Sequence, residues 1–177
     1  MIGGFVNRRW ILMSVVVAIG VAVDQCAKRL AHAWLRDRGV VPLIDGYFDL
    51  RYSRNPGIFF GLGSEFADVL RMVVLIGGSL LAIGLILEIF RKASDTSRFL
   101  RWALMLLLAG ACGNLIDRIR EGEVIDFFHL HWQEVFHWAT FNVADVLIVI
   151  GLVLLIIDVF QKRQSSPRSS SFFKAGE

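Results

Sequence analysis

Apolar residues run together in four blocks, and polar residues gather between them. Charge-free stretches cover residues 10–23, 72–87, 102–116 and 146–157, with 14, 16, 15 and 12 residues. None reaches the roughly 20 residues that cross a bilayer core; at about 1.5 Å per residue, even the longest rises only about 24 Å. Each becomes long enough if its helix continues through an ionisable residue. The pattern therefore predicts four spans, about 10–30, 69–90, 99–116 and 141–160, with Asp24 and Lys28 carried in the first, Arg71 in the second and Asp145 in the fourth. Ionisable residues at such depth are costly and face the bundle interior. A soluble four-helix core is the competing reading, but there is too little polar chain to cover four all-apolar helices.

Composition sharpens this picture. Of 177 residues, 55% are hydrophobic and 20% charged, against about 45–50% and about 25% in soluble domains. Disordered, collagen-like and disulfide-framework classes are excluded. Cys26 and Cys112 lie in or beside apolar blocks and suggest neither a disulfide framework nor a four-ligand zinc site. The net charge of +3 does not point to nucleic acid, because the Lys and Arg residues flank apolar blocks and form no stripe. Their placement sets orientation instead. Ten of the 19 fall in three short segments: Arg8 and Arg9; Arg91, Lys92, Arg98 and Arg101; and Lys162, Arg163, Arg168 and Lys174. An even number of spans puts these on one side, so both termini are expected in the cytoplasm and residues 36–68 and 117–140 outside. Arg8-Arg9, an apolar stretch and Ala31-His32-Ala33 have the outline of a cleaved signal peptide. Asp24, Lys28 and Arg29 interrupt it, so the first span is read as retained. The Ser-rich residues 161–177 are expected to be disordered.

In the first outward segment, Tyr47-Phe48-Asp49-Leu50-Arg51-Tyr52 reads as strand, with turn signals at Asp45-Gly46 and Asn55-Pro56-Gly57. A small extracytoplasmic sheet is expected there. Ala109-x-x-x-Gly113, and Gly77, Gly78 and Gly84, are expected to allow close helix packing.

Polar residues cluster at the outer ends of the spans, whereas the inner ends carry ordinary flanking charges. Asp24, Gln25 and Lys28 end the first span; Asn114, Asp117 and Arg118 end the third; Asp126, Asn142 and Asp145 follow. Asp126 and Asp145 are the sharpest candidates. Two carboxylates sharing a site do not both ionise easily, so the pair holds one proton. One then activates water while the other donates to a carbonyl oxygen. Each has a plainer reading. Asn142 and Asp145 have the N-cap and N3 spacing of a capping box, and Asp126 alone suits a solvated loop. Asp117 and Arg118 are read as a polar clamp, with Arg118 paired to a carboxylate, in preference to a substrate contact. Asp24 and Lys28, four apart, are read as a structural pair. His129, His131 and His137 raise a metal hypothesis, with Asp126 as a further ligand. No His-Glu-x-x-His helix supports it, and interfacial His and Trp commonly sit at headgroup level. No metal or other cofactor is expected.

The motifs resemble those of bacterial lipoprotein signal peptidase (signal peptidase II) over nearly all of residues 10–160. Five pieces stand in the right order: Val23-Asp24-Gln25-x-x-Lys28, Asn55-x-Gly57-x-x-Phe60-Gly61, Gly113-Asn114-x-x-Asp117-Arg118, Val124-x-Asp126-Phe127 and Phe141-Asn142-x-Ala144-Asp145. The resemblance implies an all-α membrane protein with a small β part: a four-transmembrane-helix bundle, a β-cradle within about 40–62 and a short periplasmic helix. It implies an aspartic peptidase of the bacterial inner membrane that cleaves diacylglyceryl-modified prolipoproteins just before the lipidated cysteine. Asp126 and Asp145 fall on the catalytic pair. Asn55, Gly57, Asn114, Arg118 and Asn142 fall on residues that line or support the site, and Asp24 and Lys28 on supporting positions. Globomycin-type inhibitors and membrane lipid are the other implied partners, no nucleic acid is, and a monomer is expected. Ala27 replaces the usual Thr or Ser before the lysine. Pro56, Ile58 and Phe59 make the second motif bulkier than usual and bear on the fit of substrate or inhibitor.

Two other classes compete. A proton-coupled transporter would place ionisable groups at mid-membrane and on both sides. A non-catalytic assembly factor would tolerate Asp→Asn changes.

Overall fold

The computed structural model describes residues 8–57, 65–93 and 97–165. Four helices carry the apolar blocks: α1 (Arg8–Leu35), α2 (Glu65–Lys92), α3 (Arg98–Glu121) and α4 (Val143–Ser165). All four are long and apolar enough to cross a membrane. They outrun the expected spans. The 28 residues of α1 rise about 42 Å, against a hydrocarbon core of about 30 Å. The third expected span stops before Asp117, yet Asp117 is buried against other polar groups, as Asp24 is in α1, so the helix passes through it. α4 also runs to Ser165, five residues into the stretch expected to be disordered; residues 166–177 lie outside the described residues.

Local chemistry sets the ends of α3. The Ser97 side chain accepts from Leu100 N as N-cap, and Gly122, at φ +73°, closes the helix with its N–H on Arg118 O. Ser97 Oγ also donates to Asp158 of α4, a buried carboxylate that Lys162 approaches at 2.8 Å. The end of the bundle that bears the N-terminus, expected to be the inner one, thus holds more than flanking charges.

Four strands form one antiparallel run in the order β1 (Val41–Ile44), β2 (Phe48–Asn55), β3 (Val124–Trp132) and β4 (Phe136–His137). The Asp45-Gly46 turn, with Gly46 at φ +78°, joins β1 to β2. The sheet extends beyond the 40–62 segment, because the 124–137 connection between α3 and α4 supplies half of it. Between Leu50 and Ser53 a bulge in β2 shifts the register from Leu50 opposite Phe128 to Ser53 opposite Asp126. A one-residue shift exchanges the two faces of a strand. Asn55 is thereby placed on the same face as Asp126, as its diagonal neighbour. Phe60 and Gly61 of the second motif, with Ile58 and Phe59, lie outside the described residues. Among the described residues no short helix accompanies the sheet.

Two apolar clusters hold the ends. Met13, Phe90, Leu104, Met105 and Leu108 tie α1, α2 and α3 together at the end bearing the N-terminus. Ala31, Leu35 and Phe127 fix the sheet against the C-terminal end of α1. α2 packs chiefly on α3. The close approach occurs elsewhere than the Gly77, Gly78 and Gly84 expectation, since a Cβ on any of these three meets nothing within 4 Å. Gly113 of the Ala109-x-x-x-Gly113 pair serves as expected, and Gly110 joins it. A Cβ on Gly110 would run into the Ala144 carbonyl oxygen and meet Ile148 Cγ1 at 2.6 Å; one on Gly113 would meet Asp24 Oδ2 at 2.6 Å. Gly110→Ala is expected to destabilise the protein by about 1–3 kcal/mol through overpacking against backbone. Gly84→Ala should change stability little or raise it slightly. Melting temperatures of the two variants in one detergent check this; equal values would refute it.

Candidate active site

The C-terminal halves of α1 and α3 meet the N-terminus of α4 around one buried cation. Lys28 is 2% exposed. Its ammonium has three donors, and three acceptors surround it: Asp24 Oδ2 at 2.9 Å, Asp117 Oδ2 at 2.7 Å and Asn114 Oδ1 at 2.9 Å. Asp24 Oδ1 accepts from Ala144 N at 2.8 Å, in the first turn of α4, where a helix favours negative charge. Gln25 Nε2 donates to Asp117 Oδ1 at 2.8 Å, and Ile125 N reaches Asp117 Oδ2 at 3.3 Å, which ties β3 to α3.

A second layer sits on this one. Asn142 N donates to Asp145 Oδ2 and Asp145 N to Asn142 Oδ1, both at 3.0 Å, a reciprocal capping box. Asn142 is fully buried, and its Nδ2 donates to Asp126 Oδ1 at 2.6 Å and to Asn114 Oδ1 at 3.2 Å. Asn114 Nδ2 donates to Asp145 Oδ1 at 2.9 Å. The two carboxylates are thus bridged by the amides of Asn114 and Asn142. Asp126 Oδ2 accepts from Asn55 Nδ2 at 3.0 Å, and Asn55 Oδ1 takes the Gly57 N–H at 2.9 Å in a turn that Gly57 makes at φ +67°. Asp126, read from sequence as suited to a solvated loop, is a strand residue only 1% exposed. Burial pushes its carboxyl up from 3.8 to about 6; the Asn55 and Asn142 hydrogen bonds oppose this, the charge of Asp145 adds to it, and Lys28 opposes it. Asp145 is half-buried.

The family model for signal peptidase (SPase) II matches residues 16–161. The chain belongs to the signal peptidase II family. A lipoprotein signal peptidase of Geobacter sulfurreducens is 38% identical over 157 residues, 88% of this chain and 96% of that protein. One of Syntrophus aciditrophicus is 38% identical over 156 residues, 87% and 95%. A solved bacterial membrane enzyme structure, obtained by the in meso method at 2.3 Å resolution, superposes with a TM-score of 0.75 at 25% identity, covering 93% of this chain and 94% of that one.

Within this signal peptidase II architecture most of the sequence-selected residues converge: Asp24, Lys28, Asn55, Asn114, Asp117, Asp126, Asn142 and Asp145 form one connected network, and Gly57 closes its edge. Arg118 stands apart. The expected clamp between Arg118 and a carboxylate is made by Lys28, and among the described residues the Arg118 guanidinium has no ion pair. The His residues do not meet Asp126, which three residues along a strand puts on the opposite face from His129. His129 and His131 lie instead against Asp49. Asp49 was missed; its only signal was a place in the β2 strand pattern, directly opposite His129. Beside the network an apolar groove of about 440 Å³ opens between α1 and the sheet, lined by Leu30, Ala31, Trp34, Leu50, Phe127 and Phe128.

Proposed function

We propose that the protein removes the signal peptide from diacylglyceryl-modified prolipoproteins, cutting just before the lipidated cysteine, with Asp126 and Asp145 as the catalytic pair. One observation carries the reading: two carboxylates joined through the same two amides, one of them buried and raised to about 6. Asp126 holds the shared proton and Asp145, accepting from Asn142 N and Asn114 Nδ2, is the carboxylate. Asp145 takes a proton from water as the oxygen attacks the scissile carbonyl carbon. Asp126 passes its proton to the carbonyl oxygen, giving a neutral tetrahedral diol. Asp145 then protonates the departing amine, a diol hydroxyl returns its proton to Asp126, and the C–N bond breaks. Asn114, Asn142 and Asn55 hold both carboxylates in place throughout, and the Lys28 layer fixes Asn114.

The groove beside Phe127 and Trp34 suits an acyl chain and presents the lipidated residue next to Asp126. The chain acts as a single monomeric domain in the bacterial inner membrane, with both termini cytoplasmic and the pair at the outer face. Globomycin-type inhibitors would occupy the same groove. A metallopeptidase reading loses support because the His residues and Asp126 lie on opposite faces of β3.

The test is cleavage by purified enzyme of one prolipoprotein with and without its diacylglyceryl group, with product masses read by mass spectrometry. Burial of each CH₂ contributes about 0.8 kcal/mol, so loss of the chains should lower kcat/KM by at least ~100-fold. Equal rates on both substrates, or cleavage elsewhere than before the cysteine, would refute the assignment.

A further inference from the structure

We propose that Asp49, His129 and His131, completed by His137, bind a divalent transition metal of the zinc class at a site separate from the Asp126–Asp145 pair. Asp49 and His129 are directly opposed across β2 and β3, and His131 and His137 across β3 and β4, so the ladder itself brings them to one face. One ligand atom from each of Asp49, His129 and His131 lies within 4.8 Å of the others. The three imidazole rings are nearly parallel, with centroids 5.1, 5.4 and 5.5 Å apart.

The hydrogen bonding makes this more than a polar cluster. His129 is 2% exposed, and neither of its ring nitrogens has a hydrogen-bond partner among the described residues; nor has Nε2 of His131. Leaving such groups buried and unpaired forfeits their hydration without return. His131 Nδ1 lies 3.1 Å from the Gln133 carbonyl oxygen, which only accepts, so Nδ1 carries the proton. In the neutral ring Nε2 then presents a lone pair, and it lies 3.0 Å from Asp49 Oδ2. His129 Nδ1 is 3.5 Å from the same oxygen. Lone pairs facing one another at these distances are bridged either by a proton held on the imidazole or by a metal ion between them. Tetrahedral zinc, with Zn–N and Zn–O near 2.1 Å, sets its ligand atoms about 3.4 Å apart, close to both separations. Donation of the remote ring N–H to a backbone carbonyl is also how metal-bound histidines are held. Two or three imidazoles with one carboxylate favour zinc, copper or nickel over calcium or magnesium. His137, exposed on β4 beside them but outside the set whose ligand atoms lie within 4.8 Å of one another, would complete the site by a shift of its side chain. The metal would bind β2, β3 and β4 together, and the ladder links it to the strand that carries Asp126.

The test uses the full chain in detergent, with any affinity tag removed and metal stripped by chelator. Zinc chloride is titrated by calorimetry, cobalt chloride by its visible absorption. One equivalent should bind with a Kd at or below about 1 μM. Zinc at 100 times its Kd should raise the melting temperature by about 5 °C or more. His131→Ala and His137→Ala should each weaken binding, at least ~100-fold for His131, beyond the 10–100-fold typical of losing an outer partner. His137 is exposed, so its variant tests the site even if changes at buried positions impair folding. Asp126→Asn should bind zinc as the wild type does. No saturable binding by the wild type up to about 100 μM zinc, near-wild-type affinity in His131→Ala, or loss of binding in Asp126→Asn would each overturn the proposal.

Discussion

Asp126→Asn and Asp145→Asn are each expected to lower kcat by about 10³-fold or more, with the protein still folded. Either change removes one half of a proton transfer that needs both, and such acid–base steps contribute about 10²–10⁴-fold. The wild-type profile should carry the same signature. Asp126 is held neutral up to about 6, so kcat/KM is expected to fall as pH rises through that value and Asp126 loses the shared proton. In kcat the alkaline limb should move to higher pH, because a lipidated substrate excludes more water from the pair. Stability follows the same group. Its folded value is raised from 3.8 to about 6, so the stability it contributes is full below about 3.8 and is lost as pH rises through about 6. The melting temperature of the wild type should fall relative to that of Asp126→Asn over that window. A flat kcat/KM between pH 5 and 8, or near-normal turnover by either variant, would remove the pair from the mechanism.

The second large effect concerns Lys28. Lys28→Met should destabilise the protein by about 3–5 kcal/mol, the cost typical of leaving buried charges without their partner. Asp24 and Asp117 would face each other across the space where the ammonium sat, both in contact with it now at 2.9 and 2.7 Å. Against a typical total of about 5–15 kcal/mol, this is a large fraction. The triple change Asp24→Asn, Lys28→Met, Asp117→Asn should recover much of the loss, because no charge is then stranded. Thermal unfolding in detergent measures both, and a single variant that melts with the wild type would show that the cation does not hold the three helices together.

Much of this arrangement was legible in the chain. The four apolar blocks located the helices, and the spacing of Asp24 to Lys28 and of Asn142 to Asp145 anticipated an ion pair and a capping box that the structure contains. What escaped was whatever depends on long-range partners. Asp117 looked like a neighbour for Arg118 but is neutralised by a lysine 89 positions earlier. β3 carries Asp126, His129 and His131 within an apolar run, and no simple alternation marks it as a strand. Gly110 and Gly84 look alike locally; only the approach of α4 distinguishes them. Asp158 has Lys162 one turn along its own helix, but its contact with Ser97 exists only once α3 and α4 pack together.

The partners of α1 lie far downstream, and the interval has a meaning during synthesis. Asp24 and Lys28 enter the membrane together, one turn apart, while Asn114, Asp117 and Ala144 have yet to be made. At about 5–20 residues per second, roughly 5–20 s separate the emergence of Lys28 from that of Asp117. Within that time α2 is produced, but the contacts it and its C-terminal flank offer α1, Phe90 beside Trp10 and the Arg91 and Ala93 carbonyls on Arg9, lie at the opposite end. The nascent first helix must therefore travel with its own counter-ion. The pairing of Asp24 with Lys28 serves as an escort on the ribosome's schedule before it serves the finished bundle.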